Sequence, residues 1–439
     1  MSNTELLSWG RYPVFKQTSI EINSRIDLPK KLAFAHENYG TTLPYGSGLS
    51  YGDSCLAVND HVLRTKLLNR FINIDWSTGL LIAESGVTFE EILNLIIPHG
   101  WFLPVTPGTK YITLGGAIAN DIHGKNHHKK GTIGLYVREF GLFRSDLGRI
   151  TCSPKKNIEF FNATIGGLGL TGIIEWVEIQ LMPIASSWVN GLTKKFRNLD
   201  GFFALSDELD NNYEYSVSWI DCSSKGRNLG RGIYMAANFS SNKQLNVIDK
   251  KKYRIPFVPP VSLINKFSLK IFNEIYWLRH PEVNVNYITN YDSFFYPLDS
   301  ILEWNKIYGP KGFQQYQCLI PENNAKKGVH SIIEFISKSG MGSFLAVIKR
   351  FGDIPSPGLL SFPKKGITLS LDFPHVDKLE SKLFPNIDAI VSELGGRIYP
   401  AKDAHMAGKD FRNSYPLWSN LESIRDPALM SRFWKRVIQ

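Results

Sequence analysis

Apolar positions recur along this chain with two periods, and the change from one to the other marks its elements. Ile72-Asn73-Ile74-Asp75 and Leu80-Leu81-Ile82-Ala83 read as paired strands around a turn at Ser77-Thr78-Gly79. Thr88, with Glu91 three residues on, has the form of a capping box. Phe89, Ile92, Leu93 and Ile96 then share one side of the helix that follows, which Pro98-His99-Gly100 ends. Phe140 to Thr151 predicts a hairpin turning at Ser145-Asp146-Leu147-Gly148. Ile173 to Leu181 alternates apolar and polar residues before Pro183, as a half-buried strand does.

From about Ala185 the glycine-rich loops thin out and longer strand–helix units appear. Val329, Ile332, Ile333 and Ile336 give helical spacing to Val329–Ser339. Ser343 to Arg350 and Gly366 to Phe373 read as strands, and Asp377 to Leu394 as largely helical with an interruption at Pro385. The chain is accordingly divided into 1–184, 185–395 and 396–439, the last rich in aromatic and basic groups and expected to pack back on the first. Pro256 to His280 stands apart, with Leu263, Ile264, Phe267, Ile271, Ile275 and Leu278 at helical spacing and Lys266 and Lys270 between them. Such a segment suits a membrane surface or an ordinary helix packed on its own domain.

Hydrophobic residues are 43% and charged residues 21% of the 439, enough for a sizeable core in two domains or one large domain with insertions. The net charge of +10 attracts phosphates or acidic membranes. Lys30-Lys31 and Lys250-Lys251-Lys252 are too short to argue for nucleic acid and read as solvated surface. Cys55, Cys152, Cys222 and Cys318 lie far apart, which gives neither a zinc site nor a disulfide framework, so no metal is expected. Met1-Ser2-Asn3-Thr4-Glu5 lacks the basic start of a secretory signal, and no apolar run reaches membrane-spanning length. The expected location is cytoplasmic or peripheral on a membrane.

Glycine-rich loops carry the chemical signal, because backbone amides without side chains in the way can cradle phosphate oxygens. They are Tyr45 to Asp53, Pro104 to Thr109 running into Thr113 to Ala119, and Gly166 to Gly172. Any one could be a set of turns, but together they point to a large phosphate-bearing cofactor. Gly167, Gly169 and Gly172 match the G-x-G-x-x-G pattern of a nicotinamide-binding Rossmann domain. That reading is rejected, since a strand rather than a helix follows and Thr193-Lys194-Lys195 stands where an acidic residue belongs.

These loops, in this order, resemble the FAD-binding domain of the vanillyl-alcohol-oxidase (PCMH-type) flavoenzymes. Further motifs are Leu49-Ser50-Tyr51-Gly52-Asp53, Pro107-Gly108-Thr109, the run from Gly115 to His128 with Asp121-Ile122-His123-Gly124-Lys125-Asn126-His127-His128, and Asn162 to Gly167. Leu170 to Ile174, Phe313 to Gln317, Leu371-Asp372-Phe373-Pro374 and Ala401-Lys402-Asp403 complete the set. Together they resemble the decaprenylphosphoryl-β-D-ribose 2'-oxidase family of arabinan precursor synthesis. The implied fold is α+β: a two-subdomain PCMH-type FAD-binding domain plus a substrate domain built on an antiparallel β-sheet flanked by helices. The implied FAD contacts are Gly46, Ser47, Gly48, Leu49, Ser50, Tyr51 and Gly52, then Pro107, Gly108, Thr109, Thr113, Gly115, Gly116 and Ala117. Asn120, Asp121, His123, Gly124, Asn126, His127, Gly167, Leu170, Gly172, Ile174 and Lys402 extend them. Many relatives bond a histidine of the first loop to the flavin. Leu49 stands there and has no nucleophilic atom, so FAD is expected to bind non-covalently, with His123 the alternative attachment point.

Oxidising a secondary alcohol needs hydride loss from carbon and proton loss from oxygen, so a base or a cation must stand near the oxygen. The resemblance puts Lys402, Tyr51 and His123 near the flavin ring. Lys402 would stabilise charge, Tyr51 relay a proton, and His123 act as base or position the ring. Each also suits a structural role as a salt-bridged lysine, a packed tyrosine or a hydrogen-bonded histidine. Gln315 and Gln317 share one strand face and suit sugar hydroxyls, Lys125 and Lys349 suit a phosphate, and Trp219 suits stacking on the sugar or plain core packing. Two positions depart from the family: Ser370 replaces a cysteine of some members before the Asp-Phe-Pro motif, and Phe294-Phe295-Tyr296-Pro297 replaces Phe-Tyr-His-Pro. The expected activity is hydride transfer to flavin N5 from the 2'-hydroxyl of a polyprenyl-phosphoryl pentose, with a separate reductase completing an epimerisation. The alternatives are a soluble sugar or aldonolactone oxidase of the same superfamily and a non-catalytic lipid-phosphate binder.

Overall fold

The computed structural model describes residues 6–241, 244–248, 250–343 and 345–439. The readings made on Met1 to Glu5 and on Phe344 lie outside the described residues. Three sheets organise the glycine loops and what faces them. A three-stranded parallel sheet runs in the order Thr18–Glu21, His61–Arg64, Leu43–Tyr45. A five-stranded antiparallel sheet follows in the order Phe71–Asp75, Leu80–Glu84, Ile173–Gln180, Val137–Arg144, Gly148–Cys152. Its two hairpins are those predicted from the alternation at 72–83 and 140–151.

The capping box at Thr88 is present. Its hydroxyl accepts from the Glu91 amide, and Glu91 accepts from the Thr88 amide at 2.7 Å. The helix Phe89–Ile96 buries Phe89, Ile92, Leu93 and Ile96 against the five-stranded sheet, and Gly100 closes its exit in the left-handed region at φ 79°. The direction of the chain through Thr113 and Gly116, and so the position of the second glycine loop, is anchored to this helix through backbone bonds such as Leu114 N–H to Val87 O at 2.8 Å.

The second half is built on an eight-stranded antiparallel sheet. Its order is Val285–Asn290, Trp188–Phe196, Gly232–Phe239, Tyr215–Ile220, Ala346–Phe351, Gly366–Pro374, Phe313–Pro321, Arg397–Ile398. The helix Ala325–Ser339 covers it with the predicted stripe of Val329, Ile332, Ile333 and Ile336, all buried.

Three boundaries differ from the pattern. The strand expected from Ser343 starts at Ala346 and continues to Phe351. Pro385 sits in the first turn of the helix Phe384–Glu393, after one turn of π-helix at Leu379–Leu383, so it opens a helix rather than interrupting one. The apolar spacing from Leu263 does not give a helix until Lys266. Asn265 caps it there by accepting from the amides of Phe267 and Ser268. The four cysteines Cys55, Cys152, Cys222 and Cys318 are free thiols. Among the described residues no cluster of side chains is arranged to hold a metal, and no helix is long and apolar enough to cross a membrane.

Candidate active site

A cavity of about 1200 Å³ lies between the glycine loops and the eight-stranded sheet. That is roomier than the ~300–1000 Å³ of ordinary small-molecule sites and fits a dinucleotide beside a second ligand. Its first wall is the loop Gly46 to Tyr51. Side chains are excluded there by the protein behind: a Cβ on Gly46 would stand 2.5 Å from Thr113 Oγ1. Pro107, Gly108 and Thr109 form the next stretch, and Thr113, Gly115 and Gly116 the start of the helix Leu114–Ala119. Asn120, His123, Gly124, Gly172 and Ile174 also border the cavity.

Seven residues expected at the cofactor are placed elsewhere: Gly52, Ala117, Asp121, Asn126, His127, Gly167 and Leu170 lie outside the cavity lining. Ala117 and Leu170 are core residues without exposure. Asp121 accepts from the Gly134 amide at 2.9 Å and from the hydroxyls of Ser356 and Ser361, and so ties loops together behind the wall. Asn126 donates to Pro104 O at 2.9 Å, and His127 packs on Phe351 at 4.3 Å between ring centroids. A Cβ on Gly167 would stand 2.0 Å from Ala163 O, and one on Gly52 would stand 1.6 Å from Asp403 O. These two glycines permit chain to pass chain. Some residues of each motif meet the cavity and others hold the chain behind it, so membership of a motif does not settle which do.

The groove fits FAD on two observations. The hydroxyls of Ser47, Ser54 and Ser85 border it and are buried without hydrogen-bond partners, which leaves donors for a pyrophosphate. Gly108 has no protein atom within 4 Å of where a Cβ would stand, and its φ lies outside the left-handed region. Neither the fold nor its backbone requires glycine there, whereas a closely held ligand does. Leu49 borders the same groove.

The far end is polar and cationic. Lys402 holds its ammonium 3.5 Å from the Tyr51 ring centroid. Gln315 pairs across the sheet with Asp372 and donates to its carboxylate. Gln317 pairs with Ser370 and donates to His123 Nε2 at 3.1 Å. Lys125 donates to the Phe295 carbonyl at 2.8 Å and lies over the Phe294 and Phe295 rings, the pair at the family's departed motif. Lys349, Trp219 and Ser370 complete this end, and the Trp219 Nε1–H has no partner.

Burial dominates the proton equilibria. It pushes Lys125 down to about 7, with Lys349 adding repulsion, and Lys349 down to about 8. It drives Lys402 down, with Asp372 opposing and Lys349 reinforcing, and drives Asp372 up. His123 is held well below the usual imidazole range by burial and then by Lys349, His127 and Lys402. It is therefore neutral. With Nε2 accepting from Gln317, its proton belongs on Nδ1, which has no partner and remains a donor. Tyr51 is pushed well above its ordinary value by burial and then by Asp372, so it keeps its phenolic proton.

Sequence reasoning missed Asp372 as a site residue, although it stands two residues from Ser370 on one strand and so shares its face. It also missed Ser85 and the cavity lining from Phe272 and Tyr276, for which no motif signal exists. Behind the first loop, Arg436 donates to Asp53 at 2.8 and 3.0 Å and to Asp403 at 2.8 Å.

Residues 19–152 match the FAD binding domain family. Together with the groove and its cationic end, that defines an FAD-dependent oxidoreductase of PCMH type. The chain is 34% identical to decaprenylphosphoryl-β-D-ribose oxidase of Mycolicibacterium smegmatis, over 97% of each chain, and it belongs to that family. More distant similarity reaches a putative D-arabinono-1,4-lactone oxidase of Neurospora crassa, 23% identical over 40% of this chain and 32% of that one. It also reaches the L-gulonolactone oxidase of Mus musculus, 25% identical over 41% of this chain and 42% of that one.

Proposed function

We propose that this protein oxidises the 2'-hydroxyl of a polyprenyl-phosphoryl pentose to a ketone, the first half of an epimerisation that a separate reductase completes. The observation that carries the reading is the cluster of Lys402 on Tyr51 beside Lys125 and Lys349, at the polar end of a glycine-walled groove. A phosphate needs cations, and an alcohol about to lose hydride needs somewhere for its proton. Both are within one cavity.

The fold reading that goes with it takes the three- and five-stranded sheets as two subdomains of the FAD-binding domain, 1–184, and the eight-stranded sheet as the substrate domain, 185–395. Residues 396–439 return to the first. Gly46 to Tyr51, Pro107 to Thr109, Thr113 to Gly116 and Gly172 to Ile174 would hold FAD, non-covalently because Leu49 offers no nucleophile. The chemistry a bound FAD supplies is hydride acceptance at N5 of its ring.

The chain's own groups manage the proton and the pose. Lys402, made less basic by burial, is the base that ends up with the hydroxyl proton, and Tyr51, still protonated, would relay that proton by accepting it as it gives its own up to Lys402. His123 donates from Nδ1 and fixes orientation instead of acting as base. Gln315 and Gln317 meet sugar hydroxyls, Trp219 the sugar face, and Lys125 and Lys349 the phosphate.

Anaerobic mixing of the purified yellow protein with polyprenyl-phosphoryl ribose tests this. The flavin band bleaches, and acid precipitation releases the colour to the supernatant. Bleaching by aldonolactones with none by the lipid-linked sugar would overturn it.

A further inference from the structure

The helix Lys266–Arg279 is apolar on sides that it does not bury. Leu269, Asn273 and Trp277 form its inner face, where Asn273 donates to Asp221 Oδ1 at 2.8 Å. Phe272 and Tyr276 border the cavity. The side opposite the inner face carries Phe267, Ile271, Ile275 and Leu278, which are 75%, 45%, 61% and 67% exposed. Their spacing of four, four and three residues keeps them in one stripe. Phe257, Val261 and Leu263 of the segment before the helix are likewise exposed. A soluble surface does not ordinarily leave so large an apolar area uncovered without a partner.

The flanks of this patch are basic. Lys266, Lys270 and Arg279 have no acidic partner among the described residues. The nearby acids are engaged: Glu274 with Arg231, and Glu282 with Lys195 and Arg197. A second copy of the same face would set these cations against each other, whereas an acidic lipid surface complements them.

We propose that this face docks on a bilayer bearing anionic lipids, with Phe267, Ile271, Ile275 and Leu278 in the headgroup boundary and the three cations beside it. The same helix borders the cavity through Phe272 and Tyr276, as does Arg254 from the preceding segment. Docking therefore brings the cavity to the membrane surface, where a lipid-linked sugar reaches the site with its tail still in the bilayer. This last step rests on the substrate proposed above.

The test uses the full-length FAD-loaded protein in co-sedimentation with phosphatidylcholine vesicles, with and without phosphatidylglycerol. Wild type is expected to sediment with the acidic vesicles. Both F267S/I271S/I275S/L278S and K266E/K270E/R279E are expected to lose about tenfold or more in binding, with flavin spectrum and Tm unchanged. Turnover of a short-chain, water-soluble phosphoryl ribose stays at the wild-type rate in both, while turnover of vesicle-embedded substrate falls. Vesicle binding that neither variant weakens overturns the proposal. So does a wild-type dimer that the apolar variant converts to monomer without any vesicle binding. Vesicle binding lost in the variants, with no turnover of either substrate by wild type, supports the docking surface and overturns the reaction.

Discussion

Lys402 stands over the face of Tyr51, its ammonium 3.5 Å from the ring centroid. The ring favours the charged lysine. Burial and the charge of Lys349 favour the neutral one, and the balance falls below the ordinary lysine value. A lysine poised in this way can accept a proton near neutral pH. Lys402→Met is expected to slow flavin reduction by roughly 10²–10⁴-fold while leaving FAD bound. In wild type the reduction rate rises with pH as Lys402 loses its proton. Lys402→Arg, always charged, should be slow with that rise abolished. A rise that persists in Lys402→Arg removes Lys402 from the role of base.

Gly108→Ala separates the needs of the fold from those of the ligand. No protein atom lies within 4 Å of the added methyl, and the backbone there is ordinary. The apoprotein is expected to melt within ~0.5 kcal/mol of wild type but to bind FAD more weakly, as fluorescence titration of the apoprotein with FAD would reveal. Equal affinity would mean that the cofactor does not pass close to this loop.

Arg436 joins Asp53, at the end of the first loop, to Asp403, beside Lys402. Both carboxylates are buried, so Arg436→Gln removes the cation between them and leaves Asp53 without one, while Asp403 keeps His405 at 3.2 Å. A loss of about 3 kcal/mol is expected, at the lower end for a broken buried pair because Arg436 itself is 28% exposed. Urea unfolding measures it, and the flavin content of the purified variant should fall in parallel.

Lys125 and Lys349 give the protein a distinctive response to pH. Their folded values of about 7 and 8 lie below the 10.5 of the unfolded chain. Between these limits the unfolded state holds more protons, so their contribution to stability grows as pH rises. A phosphate-bearing ligand reverses the preference by favouring the charged lysines. Its binding should take up protons, and its affinity should fall as pH climbs from neutral. Calorimetry in two buffers of different ionisation enthalpy measures the uptake. Lys125→Met/Lys349→Met should abolish it, and uptake unchanged in that variant would contradict the assignment.

What could be read in the chain was whatever is decided locally. Thr88 and Glu91 need only each other to start a helix, and Ser145 to Gly148 need only their flanking alternation to turn a hairpin. The glycine loops were legible because phosphate contact and close chain passage both call for glycine. For the same reason the sequence could not separate Gly108, which borders the groove, from Gly52 and Gly167, which make room for other backbone. Asp121 looked like a cofactor residue through its motif, yet it satisfies Gly134, Ser356 and Ser361. The link of Arg436 to Asp53 spans 383 residues and leaves no periodic trace. The exposed stripe on Lys266–Arg279 was visible as spacing, but the side facing outward is set by Trp277 packing on Trp219 and Ile233 of the sheet and by Asn273 bonding Asp221 just beyond it.

The bond between Arg436 and Asp53 also orders events in time. The arginine that braces the first loop is made 383 residues after the aspartate it holds. Until it is made, that wall of the groove stands without its rear support.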